Sequence, residues 1–167
     1  ASRYLSHDMT DLIHSNIVRD IRTLYEPNWT RRGMWNQSYY EARVPRVPTM
    51  LLELLSHQNF ADMRYGLDPR FRFTVSRAIY KGMLQFICSQ YHMDYIVQPL
   101  PVDNMALRMV GENEIELTWQ PVADPLEPTA NAEKYIVYTR IGDGDIDNGV
   151  LLDNNTNRTV LPAAVVS

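Results

Sequence analysis

Partway along this 167-residue chain the spacing of apolar residues changes from a helical period to a period of two, which limits it to two differently built parts. In the first, Leu5, Met9, Leu12, Ile13, Ile17, Ile21 and Leu24 recur at three- and four-residue steps. This stripe predicts an amphipathic helix that Pro27 helps to end. Asp68-Pro69 offers an N-cap and a first-turn proline to a second helix, striped by Phe71, Val75, Ala78, Ile79, Met83, Phe86 and Ile87. Between them, residues 47–55 are nearly all apolar and bounded by prolines, a length that suits a strand buried on both faces. Helix, strand and helix predict part of an α/β layer. In the second part, residues 105–110, 114–119, 134–140 and 158–161 alternate with Gly, Asn, Asp and Pro between them. They predict antiparallel strands of a β-sandwich that is incomplete, since about seven strands make a whole one.

Charge divides at the same place. Residues 1–98 hold 12 Lys/Arg against 9 Asp/Glu and all four His, whereas residues 99–167 hold 4 against 11 and no His. Pro99 and Pro101 favour an extended backbone between the parts. The expected organisation is an α/β part at 1–92, a linker at 93–101 and a β part at 102–167.

Composition excludes several classes. With 45% hydrophobic residues, three Trp and ten Tyr, the chain can bury a core and is not a disordered tail. A net charge of −4 argues against general nucleic-acid binding. No apolar run is long enough to span a membrane. Cys88 is alone, so neither an internal disulfide nor a cysteine-based zinc site is expected. The chain begins at Ala1 and enters a helical pattern almost at once, so it is expected to be a piece of something longer.

Glu53 conflicts with its apolar surroundings. Burying an unpaired carboxylate is costly unless it is paired, metal-bound or neutral. Either the strand ends near Leu52 and Glu53 reaches solvent or an Arg, or Glu53 is a general acid/base at the C-terminal end of a buried strand, facing a cleft shared with Arg32 or His57.

Around this residue, Arg32-Gly33, Pro48-Thr49-Met50-Leu51-Leu52-Glu53, Asn59, Asp68-Pro69-Arg70-Phe71 and Ala78-Ile79-Tyr80-Lys81-Gly82 stand in a particular order. In that order they resemble the C-terminal half of zinc-dependent N-acetylmuramoyl-L-alanine amidases, α/β hydrolases that cut the sugar to stem-peptide amide of peptidoglycan. The resemblance implies that Glu53 is the catalytic general base and acid, with Arg32, His57 and Asn59 lining the substrate. Where the family has a Gly-Phe pair and a Ser, this chain has Leu54-Leu55-Ser56-His57-Gln58. The resemblance also implies zinc in the parent protein, held by two His and a Glu from segments upstream of this chain. His7, His14, His57 and His92 do not replace that set: His7 and His14 lie about two helical turns apart, and His92 falls near the linker.

The second part resembles a fibronectin type III domain in its opening near Pro101, in Glu116-Leu117-Thr118-Trp119 and in Tyr135-Ile136-Val137-Tyr138, with Trp119 and Tyr135 expected in the core. Residues 143–149 look like a calcium loop but lack the distal Glu, and a polar hairpin turn is the expectation. Asn28, Asn36, Asn154 and Asn157 begin glycosylation sequons, which matter only on a eukaryotic secretory route. Trp29, Trp35, Tyr39 and Tyr40 cluster ahead of residues 47–55, where they either stack on sugar rings or cover a sheet edge.

The function expected from these readings is a fragment of a secreted, periplasmic or cell-surface hydrolase acting on peptidoglycan, carrying a fibronectin-type spacer or docking module and inactive without its zinc ligands. The alternative is a non-catalytic module that binds polysaccharide or a cell surface. A polysaccharide lyase using Tyr39, Tyr40, Arg43 and His57 is a third reading. Unpaired edges and open apolar surface predict self-association or pairing with a complementary fragment.

Overall fold

The computed structural model describes residues 2–163, the Ser2 side chain excepted. The chain is mixed, with its helices and its strands segregated into two compact units, Ala1–Tyr95 and Ile96–Ser167. The division falls inside the segment 93–101.

The first unit is built on α1 (Ser2–Leu24) and α4 (Pro69–Gln90), with two short helices between them, α2 (Tyr40–Arg43) and α3 (Phe60–Gly66). Asp68 caps α4 by accepting from the Arg70 amide at 2.9 Å, with Pro69 in the first turn, as that dipeptide predicts. The stripes also meet as their spacing predicts: Ile13, Ile17 and Ile21 of α1 pack with Phe71, Val75 and Ala78 of α4 to form the core. Gly82 sets how closely the helices approach, since a Cβ there would stand 2.5 Å from the Ile13 Cα. Tyr25, Trp29 and Tyr65 surround Phe71 with ring centroids 5.1 to 6.0 Å from its own.

A charged pair lies between the same helices. The Lys81 ammonium donates to the Asp20 carboxylate at 2.6 Å, and both side chains are 1% exposed. Asn16, also buried, donates to the Gln85 side chain at 2.8 Å and accepts from Arg19, so the seam is polar along one flank and apolar along the other.

Residues 47–55 do not form the buried strand their composition predicts. They belong to no sheet, and among the described residues the first unit contains no strand, so the expected α/β layer is replaced by helices plus an extended segment. The segment still alternates. Met50, Leu52 and Leu54 pack against the helical core, while Leu51 and Glu53 are exposed. The apolar run buries one face on the helices, and with no neighbouring strand it makes no ladder.

In the second unit, β1 (Asp103–Gly111), β2 (Glu114–Gln120) and β5 (Arg158–Pro162) form an antiparallel sheet in the order β1-β2-β5. A second antiparallel pair joins β3 (Lys134–Val137) to β4 (Val150–Asp153). β4 has no counterpart among the expected strands, and β3 stops at Val137 instead of continuing to residue 140. Trp119 of β2 is buried and meets Tyr135 of β3 edge-on at 5.4 Å, joining the two sheets. Every residue of β1 is exposed.

The segment entering this unit is held by a short polar relay. The Val97 amide donates to Thr129 Oγ1 at 3.1 Å, and that hydroxyl donates to the buried Glu127 carboxylate at 2.9 Å. Val97 is buried and bonded to Thr129, so it is not free linker. Residues 143–149 lie in the connection between β3 and β4. Asp147 accepts from the Thr139 amide at 3.0 Å, from the Thr139 hydroxyl and from the Gly149 amide at 2.9 Å. The Thr139 hydroxyl chiefly, then these amides, hold its carboxyl below the ordinary carboxylate value.

Candidate functional site

The residues singled out in the sequence fall on two adjoining stretches of the first unit. One is the long connection from α1 through α2 to residue 49. The other runs from Met50 through the turn at residues 56–59 into α3.

The second stretch is fixed at both ends. At its start the Thr49 amide donates to Ser6 Oγ of α1 at 3.1 Å. At its end the Ser56 amide donates to Asp62 Oδ2 at 2.8 Å, and the Asn59 amide donates to the Ser56 carbonyl at 3.0 Å. Glu53 lies between these anchors, exposed on the face turned away from the helical core. Solvent therefore supplies the compensation its charge needs, which corrects the picture of a carboxylate inside a strand buried on both faces.

The other expected site residues are also on the surface. Arg32 and His57 are exposed, and neither forms an ion pair with Glu53 among the described residues. Asn59 serves the fold, since its Oδ1 accepts from the Ala61 amide at 2.9 Å and caps α3. His57 occupies the turn leading into that cap.

The remaining histidines are spread out. His7 lies 3.5 Å from Asp8 on the exposed start of α1. His14 is half-buried, and its pKa is lowered first by burial and then by the Arg31 guanidinium, with Asp11 opposing. His92 follows α4 in the left-handed region at φ 54°, where the amides of His92 and Met93 donate back to the carbonyls of Ser89 and Cys88. Among the described residues no group of three or more His, Cys, Asp or Glu is placed to hold a metal ion.

The connection ahead of Met50 carries features that the motif reading used least. Arg31 pairs with Asp11 and donates to Ser15 Oγ at 2.9 Å, and Arg22 donates to the Trp29 carbonyl at 2.8 Å. These bonds tie the start of the connection to α1. Beyond Arg31 every residue as far as Glu41 is exposed, Trp35, Tyr39 and Tyr40 included. Trp29 belongs instead to the core aromatic group, so only part of the expected aromatic cluster is available to a ligand.

No family model matches the chain, and neither a curated protein nor a solved structure matches it.

Proposed function

We propose that this chain is part of a secreted or periplasmic cell-wall hydrolase of the zinc-dependent N-acetylmuramoyl-L-alanine amidase kind, with Glu53 as its general base and acid. One observation carries the reading: Met50, Leu52 and Leu54 lie on the helices while Glu53 points away from them, between anchors at Ser6 and Asp62. A carboxylate held on the open side of a helix-backed segment can reach substrate, which one buried on both sides could not. Zinc belongs in this reading to the parent protein. When bound it would polarise the amide carbonyl and activate water. The contribution of this chain is the carboxylate that moves the proton.

The second unit fits a fibronectin type III-like spacer or docking module. Its two antiparallel sheets and the Trp119 to Tyr135 contact between them support that assignment.

The test is muropeptide release from peptidoglycan by the parent protein, with zinc content measured alongside. The expected result is amide cleavage by wild type and a loss of at least about a hundredfold for Glu53→Ala, with zinc retained in both. Activity that survives the substitution, or a zinc-loaded parent that leaves the amide intact, would favour the non-catalytic polysaccharide-binding reading.

A further inference from the structure

Residues 32–48 form a 17-residue excursion whose two ends return to the same helix, Arg31 to Asp11 and Ser15, and Thr49 to Ser6. Ser6 and Asp11 are five residues apart, roughly 8 Å along the helix axis. A loop with such close roots doubles back on itself. Its only regular element is α2, a single turn that sets Tyr40 and Arg43 three residues apart on one side.

Two properties of this loop are unusual for a surface connection. Trp35 is 75% exposed and Tyr40 68%, with Tyr39 half exposed, so two large rings stand mostly in water and a third partly so. Arg32, Arg43 and Arg46 are exposed and make no ion pair with any described residue, while Glu41 is the one acid among residues 32–48. Arg31 next door shows what a structural arginine does here, since its guanidinium is taken up by Asp11.

We infer that residues 32–48 are a binding surface for carboxylate-bearing peptidoglycan, the rings stacking on its sugar faces and the three guanidinium groups receiving the carboxylates of its stem peptides. The inference rests on the cell-wall reading above and names parts of that substrate other than the amide assigned to Glu53. The ligand charge is argued from the loop and from the rest of the molecule together. Arg32, Arg43 and Arg46, spaced along the loop with Glu41 as its one acid, suit a polymer with occasional carboxylates. The dense phosphates of a nucleic acid would meet a chain of net charge −4. A membrane surface would be served by a long amphipathic helix, and this loop has one turn followed by Pro45 and Pro48.

The experiment is co-sedimentation of the chain with insoluble peptidoglycan, native and with its carboxylates capped as amides by carbodiimide and methylamine. Wild type is expected to be retained by the native polymer, more weakly by the capped one and more weakly at high salt. Trp35→Ala with Tyr40→Ala should weaken retention about tenfold. The triple variant Arg32→Gln, Arg43→Gln, Arg46→Gln should bind native and capped polymer alike. All five side chains are exposed, and unchanged far-UV circular dichroism confirms the fold in each variant.

No retention of wild type, or retention unchanged in both variants, would overturn the inference. Equally tight binding to a dT20 oligonucleotide or to phosphatidylglycerol vesicles would also overturn it, in favour of those ligands. A parent protein that cleaves its amide normally with both loop variants defeats this inference alone. A chain that binds as described while the parent shows no cleavage defeats the hydrolase reading alone.

Discussion

Lys81 and Asp20 bury opposite charges 2.6 Å apart between α1 and α4. Removing Lys81 leaves the buried Asp20 with the Arg19 guanidinium at 3.0 Å alone, half of it in solvent, and breaking a buried pair in this way costs up to about 3–5 kcal/mol, whereas replacing both partners with apolar residues of similar volume is often neutral. Lys81→Met is therefore expected to lower the urea midpoint of the first unit sharply, and Lys81→Met with Asp20→Leu to recover most of the loss. If the double variant were as unstable as the single one, the pair would be contributing stability beyond the matching of charges. Lys81 also shows where pattern reading stops. It was legible only as part of the Ala-Ile-x-x-Gly stretch, because a lysine on a helix is ordinarily a solvated residue. Glu53 errs in the other direction: its apolar neighbours suggested burial, and with no second layer over the segment its side chain faces water.

Among the elements, the α1 and α4 pairing depends on close approach at a single position. Substituting Gly82 by Ala improves helix propensity by about 1 kcal/mol. It also drives a methyl group to 2.5 Å from the Ile13 Cα, a backbone atom that cannot rotate away. Forcing extra volume into a packed interface costs about 1–3 kcal/mol, so the clash is expected to win and Gly82→Ala to destabilise the unit. A thermal melt of the variant checks this, and a raised melting temperature would mean that the helices separate at little cost. Both helices were readable in advance because their apolar stripes run for many turns, and the Asp68-Pro69 start of α4 could be placed to the residue. The short segments were not so readable. Residues 47–55 have the composition of a strand, but a strand needs a neighbour for its backbone groups. β4, by contrast, has only four residues, too few for a pattern, and forms because β3 offers it a ladder.

Taken as a molecule, the chain has two cores with different chemistry, one helical around Ile17 and Phe71 and one β around Trp119. Separate cores predict separate unfolding. Gly82→Ala should shift the urea transition of amides in the first unit, followed by NMR, and leave the midpoint of amides in β2 and β5 where it was. A common shift in both would show one cooperative body. The division itself was legible, since net charge and hydrophobic period both change near residue 98, and these are properties of local composition. Periodicity sufficed for the long helices and for β1, β2 and β5, because each repeats its signal over several residues and the stripe has one obvious side to bury. Tertiary structure decided the rest. Whether residues 47–55 pair, whether Glu53 is buried and which tryptophan is core all depend on neighbours distant in sequence. Trp29 and Trp35 lie six residues apart in one loop. One is drawn into the ring cluster around Phe71, and the other stays in water because no element packs over it.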